Sequence, residues 1–221
     1  MPEGTTIKPQ KIRAVLLDMD GTLVDAFRPI ITALNRTLAD FGLAQMTDDE
    51  VIRHTGRGEC SMISLFGEQR EAASARFLEY HDEKLFDVKP MQGAVELLDW
   101  LAAQGIASAI VTSKSQIRAD KQLEFLGWGN KLGAVIGLCE GRRQKPDPHT
   151  VQLACEALGV RPEESIMIGD GTADIKSALR AGSQAIGLTH SFTAAELCDV
   201  GAVQCFASLT EVQAWLQLQI Q

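Results

Sequence analysis

The sequence predicts an α/β fold in which a largely parallel sheet is interrupted, after its first strand, by an all-helical insertion. From residue 90 onward, short apolar runs alternate with segments of helical periodicity, as in βαβ units joined by right-handed crossovers. Between residues 26 and 86, by contrast, helical patterns occur without a convincing strand pattern. A chain of 221 residues is long enough for one domain with an insertion of this size.

The first strand is expected at about residues 12–18, because the apolar run 14–17 is typical of a strand buried on both faces. In the insertion, a first helix is indicated by apolar residues at helical spacing, namely Ile30, Ala33, Leu34 and Leu38. Thr47 and Glu50 form a capping box that opens a second helix. A third is expected at about 68–86, with apolar positions at Ala72, Ala75, Leu78 and Leu85.

The remaining elements alternate in order along the chain. Strands are expected at about residues 106–112, 133–138, 165–168 and 184–188. Helices are expected at about 93–104, 115–126, 148–158 and 173–181, followed by two final helices. The parallel strands should therefore form one sheet, with the chain turning from strand to helix at a single edge.

Composition limits the classes of partner. With a net charge of −8, the chain is not expected to bind nucleic acid or an anionic membrane. We find no signal-peptide pattern and no apolar run near the ~20 residues of a membrane span. Five cysteines without a C-x-x-C pair are typical of reduced thiols. We therefore expect a cytoplasmic protein, either a monomer or a homodimer, without a nucleic-acid or membrane partner.

Two carboxylates follow the first strand directly, at Asp18 and Asp20. Burying them is costly unless they are paired or bind a cation, and ligands of open α/β sheets bind at this end of the strands. Asp18 could attack phosphorus as a nucleophile, while Asp20 could protonate the leaving oxygen and later deprotonate water. Gly21 allows a sharp turn and lets its N–H approach an anion. Alone, this pattern also fits a polar turn.

Two further strand-to-helix turns carry groups that suit phosphate. Thr112 and Ser113 end an apolar strand, where their hydroxyls could bind a phosphate oxygen; alternatively the turn only caps the next helix, with Ser115 as the candidate N-cap. Lys145 precedes two prolines separated by Asp147, and its ammonium could neutralise a transferring phosphoryl group. Asp147 is better explained as a helix cap.

The fourth turn follows the strand at about 165–168. Asp170 could complete an oxygen-rich Mg²⁺ site together with Asp18 and the carbonyl of Asp20. Asp174 could be a further ligand or orient a bound water, or it could cap the helix that begins there.

Taken together and in this order, the four turns resemble the motifs of the haloacid dehalogenase-like hydrolase superfamily, in particular its phosphoglycolate phosphatase and β-phosphoglucomutase branch. The resemblance implies a Rossmann-like three-layer core at residues 1–24 and 89–221 and a helical cap at 25–88. It also implies Mg²⁺-dependent transfer of a phosphoryl group from a small metabolite to Asp18, followed by hydrolysis assisted by Asp20. Asp20 argues against dehalogenases and phosphonate hydrolases of this superfamily. Gly171 departs from the small hydroxyl residue of many relatives.

The insertion would act as a lid with hinges near residues 24–27 and 88–93. Inside it, Arg57 is a candidate for binding the non-reacting end of the substrate, although a solvated surface arginine is equally compatible with the pattern. Two alternatives to a phosphatase stay open. One is a sugar phosphomutase. The resemblance disfavours it, because mutases of this branch carry a histidine in the first hinge and residues 25–29 contain none. The other is a non-catalytic binding protein on the same fold.

Overall fold

A computed structural model describes residues 12–55 and 64–220. Its strands, numbered along the chain, are β1 (Ala14–Leu17), β2 (Val24–Asp25), β3 (Lys89–Pro90), β4 (Ala107–Ser115), β5 (Ala134–Leu138), β6 (Ser165–Gly169), β7 (Gln184–Leu188) and β8 (Gln204–Phe206). Its α-helices are α1 (Phe27–Asp40), α2 (Asp48–Thr55), α3 (Arg70–Glu83), α4 (Ala94–Ala103), α5 (Gln116–Phe125), α6 (His149–Leu158), α7 (Thr172–Ala181), α8 (Ala194–Asp199) and α9 (Leu209–Gln219). Short 3₁₀ helices span Ser64–Gln69 and Pro162–Glu164.

Six strands form one parallel sheet in the order β5-β4-β1-β6-β7-β8. The first strand therefore lies in the middle, where Leu17 pairs with Ile110 of β4 and with Ile168 of β6. All four residues of β1 are fully buried, which explains their uniformly apolar sequence. This arrangement confirms the expected α/β class with a mostly parallel sheet.

Helices cover both faces of the sheet, and the side chains of the strands alternate between two apolar clusters. On one face, Leu16 and Met167 pack against α6 and α7. On the other face, Leu17 and Ile168 belong to the larger cluster, which includes residues of α4, α5, α9 and the insertion. The result is a three-layer arrangement around β1.

The chain enters and leaves the insertion through two neighbouring strands. Strands β2 and β3 pair antiparallel, with Val24 opposite Pro90 and Asp25 opposite Lys89, at the two positions expected for hinges. Between them, α1 packs against α2 and α3. The capping box before α2 is confirmed, since the Thr47 amide donates to Glu50 Oε2 at 2.8 Å and the Glu50 amide donates to Thr47 Oγ1 at 3.3 Å.

Three details differ from expectation. The third helix of the insertion is divided into a 3₁₀ turn and α3, and its buried residues are Ala73 and His81, whereas Ala72 and Ala75 are exposed. Packing against α1 selects a stripe that spacing alone did not identify. Strand β4 runs on to Ser115, and the short edge strand β8 was not expected. Among the described residues, no helix has both the length and the apolar character needed to cross a membrane.

Candidate active site

The carboxyl ends of β1, β4 and β6 meet at one edge of the sheet, and the candidate residues follow them. Asp18 comes directly after β1, and its amide donates to the carbonyl of Ile168 in β6 at 2.9 Å. Asp170 comes directly after β6, while Thr112 lies in the last part of β4. Residues more than 90 positions apart in sequence therefore become neighbours because the parallel strands end together.

Three carboxylates converge at this edge. Each of Asp18, Asp170 and Asp174 offers an oxygen, and these atoms all lie within 4.8 Å of one another. Lys145 balances part of their charge, since its Nζ donates to Asp18 Oδ1 at 2.8 Å and to Asp174 Oδ1 at 2.5 Å. A third donation, to the carbonyl of Val111 at 2.9 Å, uses the remaining proton of the ammonium. The Lys145 side chain is only 3% exposed, so its ammonium is shielded from water and held by these three hydrogen bonds.

The three carboxylates of the cluster carry more negative charge than the ammonium of Lys145 neutralises. Burial, followed by repulsion from Asp174, raises the pKa of Asp18 from 3.8 to about 7, despite the nearby Lys145. Burial and repulsion from Asp18 raise the pKa of Asp170 to about 6, and burial raises the pKa of Asp174 as well. Burial alone would lower the pKa of Lys145, but the attraction of Asp174 and Asp18 outweighs it and raises that pKa. One ammonium therefore does not neutralise three carboxylates.

Two hydroxyl groups orient Asp170. Thr22 Oγ1 donates to Asp170 Oδ1 at 3.1 Å, and Ser191 Oγ donates to Asp170 Oδ2. Thr22 directly follows Gly21 in the sequence but was assigned no role, and Ser191 was missed altogether. Ser191 lies three residues beyond the end of β7, at the same edge of the sheet, so its position after a buried strand was the available signal.

Asp174 caps the helix and also lies in the carboxylate cluster, while its role as a metal ligand stays a prediction. Its Oδ2 accepts the amide of Gly171 at 2.9 Å and so caps the start of α7, while its Oδ1 contacts Lys145 within the cluster. Gly171 contributes a backbone N–H here, which is compatible with the absence of a hydroxyl side chain. Asp147 has a structural role at the start of α6, because its Oδ1 accepts the amide of His149 at 2.9 Å, but Pro148 and not Asp147 occupies the N-cap position.

Gly21 turns the chain sharply behind the carboxylates. Its φ is +82°, and a Cβ at this position would lie 2.8 Å from Asp170 Cγ, so a side chain would collide with the cluster. The expectation that its N–H faces an anion is not met, because that group donates to the carbonyl of Val24 at 2.8 Å. The Gly21 carbonyl instead lies 2.8 Å from Nδ1 of His190, a residue that sequence reasoning missed.

Asp20 lies outside the carboxylate cluster. Its Oδ1 accepts a hydrogen bond from Lys114 Nζ at 2.7 Å, and its side chain is 14% exposed. A metal-binding role for Asp20 therefore rests on its backbone carbonyl, as the sequence suggested, and stays a prediction. Lys114 directly follows Thr112 and Ser113, yet sequence reasoning gave it no role.

The candidate phosphate-binding hydroxyls occupy the end of β4. Thr112 is buried, and its Oγ1 accepts the amide of Lys114 at 3.1 Å, whereas Ser113 is half-buried. Arg57, the candidate for substrate specificity, lies outside the described residues.

A cavity of about 140 Å³ opens between the insertion and the core beside Asp20. The insertion contributes three apolar and two polar side chains to its walls, and the core contributes polar ones. They comprise Ile30, Thr55, Phe77, Leu78 and His81, together with Ser113, Lys114, Ser115 and Arg118. Burial lowers the pKa of His81 below its ordinary value, so the ring is neutral at pH 7. Within the part of the chain that is described, Nδ1 of His81 has no hydrogen-bond partner.

Among the described residues, two bidentate ion pairs join helices of the insertion to helices of the core. Arg118 of α5 donates from Nε and Nη2 to both oxygens of Asp82 in α3, at 2.6 Å each. Arg53 of α2 donates to Glu196 of α8 at 2.8 and 3.3 Å. Bidentate geometry of this kind restricts orientation more strongly than a single contact.

The donor set fits a hard divalent cation. Carboxylate oxygens are the ligands that Mg²⁺ and Ca²⁺ prefer, and Asp18, Asp170 and Asp174 supply them from one small volume. Burial is the largest cause of the raised pKa values of Asp18 and Asp170, and repulsion by a neighbouring carboxylate, which a bound cation would offset, adds to it.

Comparison with known proteins agrees with this architecture. The family profile of the haloacid dehalogenase-like hydrolases matches residues 15–188. Phosphoglycolate phosphatase from Rhodospirillum rubrum is 30% identical over 218 residues, covering 92% of this chain and 90% of that protein. The phosphoglycolate phosphatase of Agrobacterium fabrum is 32% identical over 208 residues, covering 88% and 89%. The solved structure of a haloacid dehalogenase-like hydrolase from Bacteroides fragilis superposes with a TM-score of 0.86 at 27% identity, covering 91% of this chain and 100% of that chain. The chain therefore belongs to the haloacid dehalogenase-like hydrolase family, in the branch of the phosphoglycolate phosphatases, and is a hydrolase of the phosphatase type.

Proposed function

We propose that this enzyme is a Mg²⁺-dependent phosphatase that hydrolyses a small phosphorylated metabolite through an aspartyl-phosphate intermediate. The observation that carries the proposal is the cluster of Asp18, Asp170 and Asp174 around one buried lysine, with Asp20 two residues from Asp18 at the mouth of a cavity. In this proposal Asp18, Asp170, Asp174 and the carbonyl of Asp20 would hold Mg²⁺, and the bound cation would supply positive charge that neutralises the carboxylates and the phosphate oxygens.

In the first half-reaction, a carboxylate oxygen of Asp18 attacks phosphorus and the bond from phosphorus to the leaving oxygen breaks. Lys145 holds Asp18 Oδ1 at 2.8 Å and so fixes the direction of the carboxylate before substrate arrives. Asp20 gives its proton to the leaving oxygen. Thr112 and Ser113 donate hydrogen bonds to the phosphoryl oxygens at the end of β4.

In the second half-reaction, water attacks the aspartyl phosphate and inorganic phosphate leaves. Asp20, now a carboxylate, takes the proton of that water and is ready for the next cycle. The two ion pairs between the insertion and the core support residues 25–88 as a cap that limits access of bulk water during these steps.

The leaving group occupies the cavity beside Asp20. Its volume of about 140 Å³ is below the ~300–1,000 Å³ of ordinary ligand pockets, which supports a leaving group of few atoms. Ile30, Phe77 and Leu78 would contact its apolar part, and the neutral His81 would hydrogen-bond to a polar oxygen.

The test is phosphate release from a panel of phosphomonoesters with and without added Mg²⁺. We expect turnover of small monoesters that requires the metal, and its loss in Asp18→Asn but not in Asp199→Asn, which changes an exposed carboxylate. If the folded, metal-loaded protein hydrolyses none of the panel, the phosphatase proposal is wrong. Transfer of phosphate to a second sugar hydroxyl without its release would instead identify a mutase.

A further inference from the structure

Lys114 is a buried cation for which the reaction above provides no role. Its side chain is only 4% exposed, although it lines the cavity beside Asp20. A buried ammonium is costly unless it is paired and hydrogen-bonded, so its partners indicate why the chain tolerates it.

Those partners form a continuous path of hydrogen bonds. Lys114 Nζ donates to Asp20 Oδ1 at 2.7 Å and also to Gln122 Oε1 in α5. Because an ammonium only donates, it holds the amide oxygen of Gln122 towards itself and directs the amide nitrogen the other way. That nitrogen, Nε2, donates to the carbonyl of Leu85 at 2.5 Å.

Leu85 marks the far end of this path. It follows α3 and precedes β3, so it belongs to the segment through which the insertion rejoins the core. Both Gln122 and Leu85 are buried, at 0% and 5% exposure, and water therefore cannot replace the contact between them without a movement of that segment. The position of the rejoining segment and the orientation of Asp20 are linked by three hydrogen bonds.

The path leaves one oxygen of Asp20 for chemistry. Lys114 occupies Oδ1, and within the described residues Oδ2 makes no hydrogen bond that would compete for a proton. We propose that Lys114 is a positioning residue which, through Gln122 and the carbonyl of Leu85, fixes the Asp20 carboxylate so that Oδ2 exchanges the proton with the leaving oxygen and with water. This proposal rests on the phosphatase function assigned to the site.

The first experiment replaces Lys114 by methionine, which keeps the length and removes the charge. We expect kcat to fall about 10- to 100-fold, because a misdirected acid loses part of its rate contribution, while KM changes less than about threefold. Lys121→Met is the matched control on the same helix as Gln122; it changes an exposed lysine and should leave both constants unchanged. A rise in KM with unchanged kcat would overturn the proposal and make Lys114 a substrate contact.

The second experiment tests the path through a double-mutant cycle. Gln122→Met should lower kcat in the wild-type background but have little further effect in Lys114→Met, because both changes break the same path. Additive losses would show that the two residues act separately and would contradict the proposal.

A crystallographic readout separates this proposal from the proposed function. In Lys114→Met we expect the Asp20 carboxylate to rotate or lose defined density, while Asp18, Asp170 and Asp174 keep their arrangement. If Asp20 keeps its wild-type orientation, Lys114 does not position it. Because this comparison needs no substrate, it decides about Lys114 even if the wild-type protein hydrolyses no monoester.

Discussion

The apparent affinity for Mg²⁺ should rise steeply with pH, because the cation competes with protons for the carboxylate cluster. In the metal-free protein the pKa of Asp18 is about 7 and that of Asp170 is about 6. At about pH 5.5 these two groups together hold about 1.7 protons, and at about pH 8 they hold about 0.1. Integrating the released protons over this interval gives an affinity about 100-fold weaker at the lower pH, or about 3 kcal/mol.

The sign for stability follows from the same shifts. Both pKa values lie above the ordinary 3.8. Between about pH 4 and about pH 7, the folded metal-free protein therefore binds more protons than the unfolded chain. The metal-free protein should therefore lose stability as the pH rises from about 4 through about 6 and 7. Mg²⁺ should restore it, with a larger increase in Tm at pH 8 than at pH 5.5.

Isothermal titration calorimetry and thermal unfolding at the two pH values measure both effects. The variant Asp170→Asn removes one titrating ligand, so it should bind Mg²⁺ more weakly and with a shallower pH dependence, whereas Asp199→Asn should behave as the wild type. An affinity that changes less than about threefold between pH 5.5 and pH 8 would refute the reasoning, since the carboxylates would then be ionised before the metal binds.

Three other substitutions test separate parts of the site. Lys145→Met leaves the buried carboxylates without their ammonium; we expect a loss of about 3–5 kcal/mol in the free energy of unfolding of the metal-free protein, measured with urea, and a loss of turnover. A smaller loss than that of an exposed control, Lys176→Met, would contradict the charge balance described for the cluster. Ser191→Ala removes a donor to Asp170 and should weaken Mg²⁺ binding about 10- to 100-fold in calorimetry, whereas an unchanged affinity would make Ser191 irrelevant to the metal. His81→Phe keeps an aromatic ring but removes both nitrogens; kcat/KM should fall about 10-fold for monoesters with a polar leaving group and stay unchanged for simple alkyl phosphates. Equal effects on both substrate classes would exclude a specific contact.

Much of the core could be predicted from the sequence because strand-to-helix turns carry distinctive residues. Asp18, Lys145 and Asp170 each follow or precede an apolar strand, and parallel strands bring such turns to one edge. The insertion was recognisable from its lack of strand patterns. The edge strand β8 was not recognisable, because three residues are too few to reveal an alternation of apolar and polar positions.

The hydrogen-bond partners of the site residues could not be predicted from the sequence. The contact of Ser191 with Asp170 spans 21 residues, and that of Lys114 with Asp20 spans 94, so neither follows from local spacing. The N–H of Gly21 donates to the carbonyl of Val24 within the same turn, and a sequence motif does not reveal that hydrogen bond. Likewise, burial of His81 depends on how α3 meets the cavity, and its helix carried no clear apolar stripe.

The ribbon formed by β2 and β3 has a consequence for how this protein could be remodelled. Because the insertion departs and returns through two paired strands, its ends lie as close together as those of a hairpin. A differently shaped subdomain could be grafted onto Asp25 and Lys89, provided that it covers the apolar cluster which the insertion now shares with β1 and replaces the carbonyl of Leu85. Exchanging the insertion would thus replace one wall of the cavity beside Asp20, while Asp18, Lys145 and Asp170 would keep their places at the ends of the parallel strands.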